Sequence, residues 1–333
     1  MVEQVEGNIY RFPITLPRSP LKYLNCYVIK GEDGKNLLLD TGYHVPDSIA
    51  DLDAGMRELD LRPDNTDVFI THVHADHAGN GRYLSERGFR ILMGERDHDG
   101  VVRCHQPGFY GARQKAADAG VPEDVFDAMF VHNPTPIMMP EFFEAELVHD
   151  GDILRYGGRR LRALACYGHS PGHMCLWDEE NAVLFLGDHV LFDITPNVVI
   201  WTWEDDALGS YLESLRMVRQ LPVRLALPAH RTVGSVALPE RIDELLLHHE
   251  ARLHEIEEIV RAESDLSAYV IASRMKWSIH APNWDAFPAT QKYFAVCECM
   301  AHLQHMLLTG RLVCRTDASG AARYSPGGAK DPA

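Results

Sequence analysis

No uninterrupted apolar run of about 18 residues, the length a helix needs to cross a bilayer, occurs in this 333-residue chain. Its opening, Met1-Val2-Glu3-Gln4-Val5-Glu6, is acidic and lacks an apolar stretch, so no secretory signal is read there. Cysteine is sparse and odd in number: seven residues, at positions 26, 104, 166, 175, 297, 299 and 314, with no spacing that suggests a disulfide framework or a zinc knuckle. Cys297 and Cys299 fall inside a helical pattern, where they point to different faces. A reducing cytoplasm is the simplest expectation. Positive charge is also short, with 32 Lys and Arg against 48 Asp and Glu, a formal net charge of −16. Such a surface repels polyanions on average, which disfavours nucleic acid and leaves a small molecule as the expected partner. Hydrophobic content of 46% is ordinary for a globular chain, and the length allows one large domain and a smaller one.

Against these absences stands histidine, 18 residues, several of them grouped. Thr71-His72-Val73-His74-Ala75-Asp76-His77-Ala78-Gly79 directly follows the apolar run Asp67-Val68-Phe69-Ile70, which reads as a short buried strand. Imidazole and carboxylate are ligands that suit zinc and its first-row neighbours. Crowding four of them onto the turn after a strand lets their side chains converge. Three further segments repeat the placement. Tyr167-Gly168-His169-Ser170-Pro171-Gly172-His173 follows a strand-like run at 160–166, Gly187-Asp188 ends the apolar run Val183-Leu184-Phe185-Leu186, and Pro228-Ala229-His230 follows Leu225-Ala226-Leu227. Every candidate ligand thus sits just past the carboxyl end of a strand, as a metal centre at one edge of a sheet scaffold requires.

The ordered motifs His-x-His-x-Asp-His, Gly-His-Ser-x-Gly-His, Leu-Gly-Asp and Pro-x-His, with Asp40-Thr41-Gly42 upstream, resemble the metallo-β-lactamase-fold superfamily across roughly residues 8–235. The likeness is nearer to hydroxyacylglutathione hydrolase-like and thioesterase-like members than to antibiotic-cleaving ones. It implies an α/β (α+β) four-layer αββα sandwich. It also implies two divalent metal ions, zinc foremost, with iron or manganese as alternatives. Carried over by position, His72, His74 and His169 hold one ion, Asp76, His77 and His230 the other, and Asp188 bridges them. Asp40 orients a ligand by hydrogen bonding. Asp76 is the expected catalytic residue, orienting a shared hydroxide and passing its proton toward the leaving group. His173, Tyr43, Trp201 and Trp203 are expected beside the ligands or on the substrate side, whereas His44, His132 and His189 fall outside the ligand set. Relatives usually have glycine where this chain has Ala229. Alanine accepts positive φ less readily, so an altered turn is expected there.

The implied function is a dinuclear hydrolase attacking the carbonyl of a thioester or carboxylic ester, not primarily a β-lactamase. A thiolate leaves without help from a strong acid, which fits the lack of a conspicuous separate donor. Lactonase or phosphodiesterase/ribonuclease activity on the same fold is the alternative, with Tyr43 or His173 as a proton donor for a lactone. A non-catalytic ligand-binding regulator is a third reading.

Alternation and turn signals place strands at 9–14, 23–30, 36–40, 67–70, 90–93, 161–166, 174–177 and 183–186, and helices at 46–59 and 205–221. A catalytic domain over 1–236 is expected, with a helical insertion at 95–144 read as a flap near the site or as a dimer contact. From Leu238 the periodicity predicts helices over 239–263, 267–277 and 289–309. A hairpin around Asp317-Ala318-Ser319-Gly320 follows, and the whole is a small winged-helix-like domain over 237–324. It carries no basic stripe, with 10 basic and 13 acidic residues from Leu238 onward, so packing against the catalytic domain or a homodimer contact is expected over DNA binding. The tail 325–333 reads as disordered.

Overall fold

The computed structural model describes all residues except 33, 104–110, 132–138, 202–204, 234–236, 279–280 and 328–333. His132, Trp203 and most of the tail expected to be disordered therefore lie outside the described residues.

Two sheets build the part of the chain expected to form the sandwich. The first holds β1 (Glu3–Glu6), β2 (Ile9–Thr15), β3 (Tyr23–Ile29), β4 (Asn36–Leu39), β5 (Thr66–Ile70), β6 (Arg90–Gly94) and β7 (Glu146–Val148), in sequential order. β1 to β4 pair antiparallel, then β4 to β7 run parallel. Parallel neighbours need crossovers. These are α1 (Pro46–Glu58) before β5, α2 (Ala75–Ala78) and α3 (Gly81–Glu86) before β6, and α4 (Glu95–Arg103), α5 (Ala112–Asp118) and α6 (Glu123–Val131) before β7. Pro46 opens α1 at a position whose N–H has no helical partner.

The second sheet runs β12-β11-β10-β9-β8. β8 (Ile153–Tyr156), β9 (Arg159–Ala165), β10 (Met174–Asp178) and β11 (Val183–Gly187) pair antiparallel, and β12 (Leu225–Pro228) joins parallel to β11 after α7 (Ala207–Arg219). β4, β10 and β11 are buried at every position, which is why they read as unbroken apolar runs rather than alternating ones. Ile9, Ile29, Leu37, Leu39, Phe69 and Leu92 of the first sheet share one buried cluster with Leu161, Ala163, Leu176, Val183, Phe185 and Leu227 of the second. Tyr27 meets Phe185 edge-on across it, with ring centroids 5.8 Å apart. This is the expected sandwich of mixed sheets with flanking helices. The short strands β1, β7 and β8 were not expected; each is only three or four residues long, too short for alternation to register.

The chain forms two compact units, and they do not follow the expected boundary at 236/237. The first comprises Met1–Gln106, Thr135–Pro196 and Glu213–Ile242, and includes both sheets. The second comprises Pro107–Pro134, Asn197–Leu212 and Asp243–Ala333. Much of the helical insertion therefore belongs with the C-terminal helices rather than with the sandwich. The reason is local packing. α6 lies against α10 (Ala289–Leu308), the N–H of Tyr269 donates to the Ala119 carbonyl at 2.9 Å, and Gly120 sits against Ser267. The rest of this unit is the greater part of α8 (Leu238–Ala262), then α9 (Ala268–Arg274) and the hairpin β13 (Leu312–Thr316) and β14 (Ala322–Pro326). Ser267 caps α9, its hydroxyl accepting from Val270 N–H, and Gly310 follows α10 at φ 75°, as the sequence led us to expect. No helix among the described residues is long and apolar enough to cross a membrane.

Candidate metal centre

The site is built where β4, β5, β9, β11 and β12 end. Asp40 follows β4 in a left-handed conformation, φ 63°, which aspartate tolerates better than most residues with a side chain. Its carboxylate accepts the N–H of Thr71 at 2.8 Å, the Thr71 hydroxyl at 2.9–3.0 Å and Nδ1–H of His77 at 2.8 Å. Thr41 donates its N–H and hydroxyl to the His77 carbonyl at 2.9 and 2.7 Å. His77 is thus held by both ring and backbone. After β5 the chain bends at Val73 and His74, His74 stands at the N-terminus of α2, and that single turn carries Asp76 and His77.

The hydrogen bonds fix which nitrogens are bare. His77 gives Nδ1–H to Asp40, so its Nε2 offers a lone pair. His230 Nδ1 lies 3.1 Å from the Tyr23 carbonyl and must donate to it, so its Nε2 is bare too. The Thr71 hydroxyl spends its proton on Asp40 and accepts Nδ1–H of His72 at 3.0 Å, which leaves His72 Nε2 bare. These acceptors face one another. His77 Nε2 and His230 Nε2 are 3.2 Å apart, and Asp76 Oδ2 is 3.3 Å from His230 Nε2. The Asp188 carboxylate lies 3.5 Å from His77 Nε2, 3.4 Å from His230 Nε2 and 3.6 Å from His169 Nε2. His72 Nε2 is 2.9 Å from His74 Nδ1. Around a cation bound at about 2.0–2.2 Å in a tetrahedron, neighbouring donor atoms are about 3.3–3.6 Å apart. Facing lone pairs and carboxylates at such separations repel one another unless protons or a cation lie among them. The residues therefore fit a metal ion. Among the described residues, three overlapping groups can hold one: His72, His74 and His169; His72, His77 and Asp188; and Asp76, His77 and His230.

Electrostatics agree. Burial opposes charge on His77, yet Asp40, Asp188 and Asp76 hold its pKa well above the ordinary histidine value. Burial likewise opposes charge on His230, and Asp188 and Asp76 raise its pKa. Burial and the neighbouring imidazoles push His72 well below the usual value, and burial with His169 takes His74 down to about 3. Burial works against ionisation of Asp76, but His77 and His230 bring it to about 2. Without metal, a proton on His77 Nε2, facing His230 Nε2, serves as counter-charge to these carboxylates.

The other expected residues fall as follows. His173 is fully buried and lies outside the three groups. Its Nε2 accepts the N–H of Asp188 at 3.1 Å, and its Nδ1 finds no hydrogen-bond partner. It therefore supports the backbone that presents Asp188. Gly187 makes this possible, because a Cβ there would stand 2.5 Å from His173 Nε2. Tyr43 is half-buried; burial and the charges of Asp76 and Asp188 push its phenol above the usual range, so it stays protonated as a hydrogen-bond donor. His44 pairs through Nδ1 with Asn80 Oδ1 at 2.9 Å, and the buried His189 belongs to none of the groups. Trp201 belongs to the second unit, where its carbonyl accepts from Lys115 Nζ. Ala229 is not among the positive-φ residues; Arg231, two positions on, is, at φ 63°. Ala229 is buried, with its N–H on the Gly187 carbonyl at 2.9 Å and its carbonyl on Asn25 N–H at 2.7 Å.

One residue was missed. Asp97, in the first turn of α4, is buried and accepts from Val73 N–H, Ser170 Oγ–H and Gly172 N–H. Burial pushes its pKa up to about 6 despite those donors. In the sequence it is one polar residue in the run Glu95-Arg96-Asp97, and nothing there marks it as buried.

Known proteins resemble this chain in sequence and fold. The model of the metallo-beta-lactamase superfamily matches residues 21–230, and the chain belongs to that superfamily. The lactamase-like protein aptB of Emericella nidulans is 28% identical over 242 residues, 71% of this chain and 60% of that protein. An atrochrysone carboxyl ACP thioesterase of the same organism is 28% identical over 232 residues, 70% of this chain and 58% of that one. The chain thus spans about three fifths of the length of these two relatives. Among solved structures, a metallo-beta-lactamase family protein from Thermus thermophilus has a TM-score of 0.81 at 25% identity, covering 97% of this chain and all of that one. A beta-lactamase domain protein from Burkholderia ambifaria has a TM-score of 0.81 at 27% identity, covering 98% and 94%.

Proposed function

We propose that this member of the metallo-beta-lactamase superfamily is a metal-dependent hydrolase that cleaves a thioester. The observation that carries the reading is the convergence, at one strand edge, of bare imidazole nitrogens and carboxylates with the Asp188 carboxylate facing histidines of two groups. In this reading His72, His74 and His169 hold one divalent ion, and Asp76, His77 and His230 hold a second. Asp188 serves both, with zinc the first candidate and iron or manganese next. Ions bound there would supply Lewis acidity toward a carbonyl oxygen and an ionised water as nucleophile near neutral pH.

The chain's own residues do the rest. Asp76 is buried and ionised, so its carboxylate would accept a hydrogen bond from the nucleophilic hydroxide, orienting it and guiding its proton toward the leaving group. Asp40 keeps His77 in the tautomer that presents Nε2, and His173 keeps Asp188 in place through the backbone. Tyr43 offers a neutral hydroxyl beside Asp76 and Asp188, suited to donate a hydrogen bond to substrate oxygen. A thiolate is a weak base and leaves without a strong acid. The thioesterase name of one relative supports the same bond class, and an acyl carrier protein or coenzyme A is the corresponding thiol carrier.

The test is free-thiol release from acyl-coenzyme A, acylglutathione and acyl-carrier-protein thioesters, with metal-reconstituted protein and a chelated control. Chelator-sensitive release on one acyl class is expected. Release from none of them by protein carrying two metals would transfer the proposal to lactones and other oxygen esters, where Tyr43 would matter as a donor.

A further inference from the structure

One buried carboxylate has no part in the chemistry above. Asp97 is 1% exposed, and burying an anion is costly unless donors surround it. Its three donors come from two separate loops. Oδ2 accepts the N–H of Val73 at 2.9 Å and the hydroxyl of Ser170 at 2.5 Å, and Oδ1 accepts the N–H of Gly172 at 2.6 Å. Val73 lies between His72 and His74. Ser170 and Gly172 lie between His169 and His173. These two loops supply all three members of the His72, His74 and His169 group. The junction is tight, since a Cβ on Gly172 would stand 2.4 Å from the backbone nitrogen of Asp97. The Asp76, His77 and His230 group is supported differently, by Asp40 on His77 and by the Tyr23 carbonyl on His230.

We propose that Asp97 is the positioning residue of the His72, His74 and His169 group. By bonding both loops at once, it fixes the separation of His169 from the other two and so sets the metal affinity of that group alone. The inference rests on the metal-binding part of the reading above and not on the thioester. An ionised carboxylate suits the task because it only accepts. An asparagine has the same shape but turns one of the two acceptor oxygens into an NH2, which would confront N–H groups.

The experiment titrates metal-free protein with Co2+, following visible absorption and bound metal by equilibrium dialysis. Asp97→Asn is expected to weaken one of the two equivalents by about 10–100-fold, the range for partners that orient ligands, and to leave the other unchanged. The affected equivalent should be the one lost in His74→Ala and retained in His230→Ala. Ser170→Ala keeps the carboxylate and removes one donor, so it should weaken the same equivalent by less, and it serves if Asp97→Asn does not fold. Unchanged binding of both equivalents by the folded Asp97→Asn or Ser170→Ala protein would overturn the proposal, as would equal weakening of both. Wild-type protein that binds two metals but releases no thiol would end the thioester reading and leave this one standing. Wild-type protein that takes up no metal would end both.

Discussion

The first unit gathers histidines at strand ends, whereas the second buries a pair, His249 and His302, on α8 and α10. The contrast lies in what each ring faces. His302 gives Nδ1–H to the Glu298 carbonyl one turn back, at 2.8 Å, and its Nε2 accepts Nδ1–H of His249 at 3.1 Å. The nearby Glu298 carboxylate is taken by Arg252 at 3.3 Å. With no free carboxylate at hand, burial pushes His249 well below the ordinary histidine value and His302 down to about 3. In the first unit the carboxylates raise His77 and His230, and the bare nitrogens point at one another rather than into a relay. Grouped histidines therefore do not define a metal site. Shared carboxylates and opposed lone pairs do.

Breaking the first cluster should have the largest effect. Asp188→Ala removes the carboxylate that faces both groups. It should lower metal content and abolish chelator-sensitive activity, by more than the roughly 10–100-fold loss typical of residues that only support a ligand; metal analysis and steady-state rates check this. Asp40→Ala takes away the acceptor of His77 Nδ1 and should cost metal affinity within that range, read by competition with a chelator of known affinity. The proton inventory gives the next effect. Because the pKa of His77 is held well above the ordinary histidine value, its Nε2 carries a proton in the metal-free protein near neutral pH, and metal must displace it. Metal uptake should therefore release protons, and affinity should rise as pH rises through neutrality. Calorimetry in buffers of different ionisation enthalpy measures the number released. The smallest effect on the site should come from the second cluster. His302→Ala should leave metal content and activity unchanged and lower stability by about 1–3 kcal/mol, since it orphans a buried group, as thermal unfolding of the metal-loaded protein would report.

The same contrast explains what the sequence could and could not tell. The strand-end motifs were legible because metal ligands must be histidine or carboxylate and must follow strands. The buried strands that carry them announce themselves as apolar runs, such as Val183 to Leu186. The role of Asp40 was legible through its place in Asp40-Thr41-Gly42. Asp97 was not, because its partners are two backbone N–H groups and one hydroxyl from loops far away in sequence, and main-chain donors leave no mark on side-chain identity. The placement of 107–134 with the C-terminal helices escaped for a similar reason, since weak helical periodicity shows that a segment packs but not against what.

The most direct test of the account is to add Zn2+ stepwise to metal-free protein while following thiol release from an acyl thioester. The account predicts release that grows with occupancy, levels off at two ions per chain and vanishes with chelator. Two bound ions without hydrolysis of any thioester, or hydrolysis that persists in the chelated protein, would contradict it.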